Sequence, residues 1–184
     1  MNVPDLQTKG NAMSTATLDA PQRATARAGK YLTFALGREE YGLEILKVRE
    51  IIGIMDITAV PRTPSYVTGV INLRGQVIAV VDLRAKFAME RAERTEQTCI
   101  IVVEINQDER KLNTGIIVDR VSEVLNISAD KIEEPPSFGD TVDTEFILGM
   151  GKIGKSVKIL LDIDKVLSSE EALSIEAIAK EQGK

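Results

Sequence analysis

Histidine and tryptophan are absent from this 184-residue chain, and cysteine occurs once. Without imidazole there is no Ser-His-Asp triad, no Cys-His dyad, no histidine metal ligand and no phospho-accepting histidine. Lone Cys99 closes no intramolecular disulfide and builds no Cys-rich zinc site, and its apolar neighbours suit a packed thiol better than a reactive one. Such cysteine usage fits a reducing compartment. Aromatics are only 4% of the chain, too few for a base-stacking platform. No basic block interrupts a balance of 28 acidic against 23 basic side chains, which argues against general nucleic-acid binding. Apolar runs such as Val77 to Val81 fall far short of the roughly 20 residues of a membrane-spanning helix, so direct membrane insertion is not expected. Asp162-Ile163-Asp164 and Asp140 to Glu145 gather carboxylates without the spacing of a calcium loop and read as solvated loop, so neither a metal nor a cofactor is expected.

What remains is a chain that is 43% hydrophobic, enough to bury a core as one domain or two small, closely packed ones. Residues 1–29, rich in Ala, Thr and Gln and lacking an apolar signal-peptide core, read as a flexible cytoplasmic tail. A leader or a vector scar fits the first dozen residues equally.

From Lys30 the texture is that of strands. Leu32, Phe34 and Leu36 alternate with Tyr31, Thr33 and Ala35, a period of two. Gly37 to Glu40 reads as a turn and Tyr41 to Ile45 as the returning strand. Leu46 to Ile52 fits one helical turn running into a strand. Pro61 and Pro64 bracket a break, and Ser65 to Ile71 fits a short helix or an extended segment. Leu73-Arg74-Gly75-Gln76 reads as a hairpin turn and Val77 to Leu83 as a central strand. Arg84 to Ala88 suits a short helix, and Glu90 to Gln97 a charged connector. Cys99 to Ile105 and Thr114 to Val118 are further strands, with Val121 to Ile127 continuing the latter. Ser128 to Thr144 reads as loop, Phe146 to Leu148 and Val157 to Ile163 as strands. Ser168 with Glu170 and Glu171 opens a C-terminal helix over 169–184.

The two halves repeat. Leu32, Phe34 and Leu36 match Ile101, Val103 and Ile105. Gly42, Ile45, Lys47, Val48, Glu50, Ile51 and Ile52 match Gly115, Val118, Arg120, Val121, Glu123, Val124 and Leu125. Gly69, Val77, Val80, Val81, Asp82 and Leu83 match Gly149, Val157, Leu160, Leu161, Asp162 and Ile163. Order is kept, and the length differences fall in polar loops. Two similar β modules of about five short strands each, in keeping with small closed barrels, account for this. They divide residues 30–168 at about 95/96, with strands free to cross between them, and a groove shared by two such modules is a natural docking site.

One motif points to chemistry. Gly149 to Ser156 satisfies the nucleotide-binding pattern of Gly, four residues, then Gly-Lys-Ser. That motif works when a helix follows, adding its dipole to the phosphate cradle. Here Val157 to Ile163 alternates like a strand, so a Gly-rich hairpin is the better reading, with nucleotide binding through Lys155 and Ser156 as the alternative.

The stretch Tyr41 to Ile51, followed by Pro64, Gly69, Asn72-Leu73-Arg74-Gly75 and Val81-Asp82-Leu83-Arg84, resembles the CheW family of bacterial chemotaxis coupling proteins. The Asn-Leu-Arg-Gly turn before an apolar strand ending in Asp-Leu-Arg is its most specific part, and the similarity runs from about Lys30 to the C-terminal helix. The resemblance implies a mostly β fold of two SH3-like five-stranded barrel subdomains around a shared hydrophobic core, plus a short C-terminal helix. It implies a non-catalytic adaptor between the cytoplasmic tips of chemoreceptors and the histidine kinase CheA, docking on the kinase's CheW-like regulatory domain. Such a protein is cytoplasmic, monomeric alone, and recruited into membrane-bound receptor arrays. By the same resemblance Val48, Glu50, Gly69, Asn72, Arg74, Ile100 and Val121 face the receptor, while Ile45 and Phe138 serve kinase or ring contacts. Read from the residues themselves, Val48 and Ile45 also suit core positions, and Phe138 could fold back on its own module. Glu50 offers Arg74 a partner, and an exposed pair of that kind shapes a surface more than it stabilises a fold.

Overall fold

The computed structural model describes residues 27–139, 143–167 and 177; the tail before residue 27 and nearly all of the helix expected from Ser168 lie outside them. The chain runs β1 (Gly29–Leu36), β2 (Glu39–Glu44), a 3-10 turn (Ile45–Lys47), β3 (Val48–Gly53), β4 (Val67–Leu73), β5 (Gln76–Asp82) and α1 (Leu83–Lys86). It continues through β6 (Cys99–Gln107), β7 (Arg110–Val118), β8 (Arg120–Ile127), a second 3-10 turn (Ala129–Lys131), β9 (Ile132–Glu133), β10 (Ile147–Ile153), β11 (Ser156–Leu161) and α2 (Ile163–Val166).

Two sheets result, ordered β8-β1-β2-β11-β10-β9 and β3-β6-β7-β5-β4. Neither half of the chain builds a sheet alone. β1 and β2 pair with strands of the second half, and β6 and β7 with strands of the first. The sequence repeat explains this crossing, because it maps β8-β1-β2-β11-β10 strand for strand onto β3-β6-β7-β5-β4. Leu32 pairs with Leu43 as Ile101 pairs with Ile116. Leu160 lies beside Gly42 in a parallel pair, as Val80 lies beside Gly115. Even the register shifts recur, between Val67 and Gly69 on one side and Ile147 and Gly149 on the other.

Several local expectations change. Glu39 and Glu40 belong to β2, leaving a tight turn at Gly37-Arg38, where Gly37 takes the positive φ of 63° that glycine tolerates. The segment from Val67 is extended, because it pairs with β5 along its whole length. β8 does not prolong β7: the chain leaves one sheet at Asp119 and pairs with β1 in the other. The loop after Ser128 holds β9, whose two residues pair with Met150 and Gly151, too few to carry a period. β11 ends at Leu161, and Asp162 then caps α2 by accepting the backbone N–H of Asp164.

The core lies in three places. The largest cluster sits between the sheets and includes Phe34, Leu36, Leu43, Val81, Ile101, Val103, Ile116 and Leu161. The scarce aromatics concentrate there: Phe34, Tyr41, Phe87 and Phe146 form a chain of rings with successive centroids 5.8, 5.8 and 5.7 Å apart. Each fully buried side chain of this size contributes about 1.5–3 kcal/mol of hydrophobic free energy. Ile71, Ile78, Val80, Ile100, Val102 and Ile117 cluster on the second sheet's other face, alternating with the residues that enter the intersheet core. Tyr31, Ile127, Ile132 and Leu160 do the same for the first. Burial of Tyr31 pushes its phenol up to about 12.

Candidate functional site

The second sheet places its two ends within reach of each other. β3 and β4 are its outermost strands, yet Glu50 on β3 and Arg74 after β4 form a bidentate pair. Arg74 Nη1 donates to Glu50 Oε1 at 2.8 Å and Nη2 to Oε2 at 2.9 Å. Farther along the same seam, Thr58 exchanges two backbone hydrogen bonds of 2.9 Å with Val70.

The local sequence makes this possible. Arg74 and Gly75 are the two central residues of the β4–β5 hairpin, and both take positive φ, 53° and 83°. This is the twist that two-residue hairpins need, and Gly75 meets it freely. Arg74 is an unusual residue for that conformation. Asn72 supports the turn, its Oδ1 accepting the N–H of Gly75 at 2.9 Å. Turned this way, Arg74 leaves 75% of its side chain exposed while its guanidinium lies on Glu50. That hydrogen bonding holds the Glu50 carboxyl below the usual carboxylate range.

Gly69 serves the seam differently. It is buried at the register shift with φ of 151°, and a Cβ there would lie 2.1 Å from the carbonyl oxygen of Thr58. Only glycine lets the Thr58 segment close on β4.

The structure therefore gathers Glu50, Asn72 and Arg74 on one exposed seam, with Gly69 buried within it. Val48 begins β3 and packs partly against the core between the sheets. Val121, its counterpart in the repeat, does the same from β8 in the other sheet. Ile100 requires a correction. It is 0% exposed, because it faces the second sheet's own core and lies opposite Ile52, so its side chain supports the seam from beneath and meets no partner. Ile45 is half-buried against the intersheet core. Phe138, by contrast, is 55% exposed in a segment without regular structure.

Two ionic clasps went unread in the sequence. Arg84 in α1 donates through Nε and Nη2 to both oxygens of Asp119 at 2.8 and 2.5 Å, and Asp119 also accepts the N–H of Gly37 at 2.7 Å. Arg84 holds the Asp119 carboxyl below its ordinary range. Lys47 donates to Asp164 at 2.6 Å, and Asp164 accepts the N–H of Asn106 at 2.9 Å. In the repeat Arg84 falls on Asp164 and Gly37 on Asn106. Each passage between sheets is thus tied to a short helix, with the charges exchanged. The matching of Asp82-Leu83-Arg84 to Asp162-Ile163-Asp164 was the available signal.

Gly149 to Ser156 forms the end of β10, a turn at Gly154-Lys155 and the start of β11. Ser156 Oγ donates to its own turn, at Ile153 O, and no helix follows to receive phosphate. Nothing supports the nucleotide-binding alternative. Among the described residues no group of three or more acidic or Cys side chains is placed to hold a metal, and no helix is long and apolar enough to cross a membrane.

Comparison with known proteins meets this architecture from outside. The family model described as a CheW-like domain matches residues 30–171. A chemotaxis protein CheW from Klebsiella aerogenes is 43% identical over 151 residues, covering 82% of this chain and 89% of its own. The chemotaxis protein CheW of Treponema pallidum is 36% identical over 142 residues, 76% of this chain and 82% of its own. The crystal structure of the scaffolding protein TtCheW from Thermoanaerobacter tengcongensis superposes with a TM-score of 0.68 at 35% identity, covering 78% of this chain and 95% of that one. A match that spans both sheets at these identities places the chain in the CheW-like family of chemotaxis proteins.

Proposed function

We propose that this chain is a non-catalytic adaptor that couples chemoreceptors to a CheA-type histidine kinase. Its receptor surface is the seam of the second sheet, with Arg74 and Glu50 at the centre and Asn72 shaping the turn. The observation that carries this is the bidentate Arg74–Glu50 pair, exposed, drawn from opposite edges of a sheet, and set on an arginine in a left-handed conformation. A residue held at φ of 53° against its own preference is a sign of selection for something besides stability. Val48 extends this surface along β3, Gly69 and Ile100 hold it in shape, and Val121 flanks the passage between the sheets. Phe138 presents an aromatic ring for a second kinase or ring contact, of the kind that anchors protein interfaces. The protein reaches the membrane through receptors and acts in the cytoplasm, and its contacts gain strength from multivalency in arrays.

The test is ATP turnover by a CheA-type kinase with receptor-bearing membranes, with and without this protein. A severalfold rise that requires all three components, and that attractant reverses, supports coupling. No change in turnover, with no binding to either partner, overturns it.

A further inference from the structure

The repeat leaves the chain two ways to order its strands. The observed sheets mix the halves, as β8-β1-β2-β11-β10 and β3-β6-β7-β5-β4. The same order drawn from one half alone, β3-β1-β2-β5-β4 or β8-β6-β7-β11-β10, would let each half close on itself. Apolar patterning does not choose between them, because the matched positions are core residues in both halves: Leu32 and Ile101, Leu43 and Ile116, Leu161 and Val81.

The charges do choose. Lys158 on β11 is only 7% exposed, and its amine lies on the carboxylate of Glu40 on β2. Glu40 also accepts the hydroxyl of Ser122 on β8 at 2.9 Å, with the Arg120 guanidinium 3.8 Å away. One carboxylate of the first half thus holds three side chains of the second. In the other sheet the places of Lys158 and Glu40 belong to Ile78 and Asn113. Ile78 is 3% exposed and packs in an apolar cluster. The ion pair that crosses between halves there joins Arg49 on β3 to Glu104 on β6. The residue matching Glu104 is Ala35.

A half closed on itself would break both arrangements. Lys158 would be buried beside Asn113, whose amide carries no charge, and Ile78 would stand beside Glu40. Arg49 would meet Ala35 where it now meets Glu104. An amine buried without its carboxylate is strongly unfavourable, whereas the intact pair gains little over two apolar residues of the same size. Such a pair therefore discriminates between arrangements more than it stabilises either one.

We propose that the Glu40–Lys158 pair, seconded by Arg49–Glu104, selects the exchanged pairing of the two halves over the self-closed one. The likeness of the halves creates the ambiguity, and one buried lysine resolves it.

The test moves that lysine without changing composition. Ile78→Lys with Lys158→Ile, made in the full chain, puts both members of the pair in the first half. Spin labels read the pairing after refolding from urea, in a Cys99→Ser background. Labels on Glu39→Cys and Val157→Cys, two positions that line one cleft, are close in the exchanged arrangement. Labels on Glu39→Cys and Val77→Cys are close in the self-closed one. The chain with both residues of the pair in place should refold with the short 39–157 distance throughout. In the moved-lysine variant the ratio of self-closed to exchanged molecules should rise about tenfold or more. Glu40→Asn with Lys158→Ile gives the first sheet the residues of the second and is the milder variant should the first fail to fold. It should refold to a mixture of the two pairings while keeping its thermal midpoint, which loss of a merely stabilising pair cannot produce. Refolding of these variants to the exchanged pairing alone, at the unaltered yield, overturns the proposal. So does a lowered midpoint in Glu40→Asn/Lys158→Ile with the pairing unmixed, which marks the pair as stabilising only.

Discussion

Arg74 and Glu50 come from opposite edges of one sheet, and their two hydrogen bonds of 2.8 and 2.9 Å draw those edges together at the surface. Most of the Arg74 side chain stays in water, so the pair shapes an outline rather than supplying stability.

Arg74→Ala keeps the left-handed strain and removes only the exposed pair. The thermal midpoint should hardly move, while receptor binding weakens about tenfold or more. Arg74→Asn, which accepts positive φ more readily, should match or slightly exceed the unaltered midpoint yet bind receptor no better than Ala. Thermal melts beside receptor co-sedimentation check both. A large drop in midpoint with normal binding would refute the separation.

Gly69→Ala should behave in the opposite way. The added Cβ meets Thr58 O at 2.1 Å, and φ of 151° suits no L side chain. A destabilisation of about 2–4 kcal/mol is expected, read by urea unfolding. Receptor binding should fall only as far as the folded fraction does if the seam can re-form.

Ile100→Ala removes part of a side chain with no exposed surface. The expected loss is about 2–5 kcal/mol from lost burial and the cavity left behind. Ile100→Val, at about 0.5–1.5 kcal/mol, tests the supporting role gently. If Ile100→Val abolishes receptor binding at full stability, the side chain does more than pack.

Asp119 gives a pH signature. Its folded carboxyl titrates below the ordinary value because the hydrogen bonds from Arg84, and to a lesser degree the N–H of Gly37, favour the charged form. A depressed acid stabilises the fold above its unfolded pKa of about 4 and loses that contribution as pH falls through the lower folded value. Asp119→Asn should therefore cost about 1–3 kcal/mol at neutral pH. The gap to the unaltered protein should narrow below about pH 4. Denaturant midpoints measured from pH 3 to 7 decide this; a gap that widens in acid would contradict it.

Much of this fold was legible in particular residues. The alternation of Leu32, Phe34 and Leu36 announced β1, and the matched glycines Gly42/Gly115 and Gly69/Gly149 marked equivalent strands before any pairing was visible. The Glu50–Arg74 pair was legible only as an offered partnership, because a hairpin arginine is as readily solvated and Glu50 lies on β3, at the opposite edge of the sheet from β4. The exchange of strands between halves was less legible, since pairing partners are chosen by three-dimensional closure and not by neighbouring sequence. Which of Ile45 and Leu46 faces outward was equally hidden, because adjacent apolar residues in a short turn have no period to separate them. The clasps were obscured by distance: Lys47 and Asp164 lie 117 residues apart.

The interleaving of the halves also governs how the molecule can be divided. A nick in the exposed connector at residues 91–97 would leave two pieces, neither holding a complete sheet. Each piece would carry strands that only the other can hydrogen-bond. The halves are therefore obligate complements, suited to splitting into two chains that regain structure on meeting.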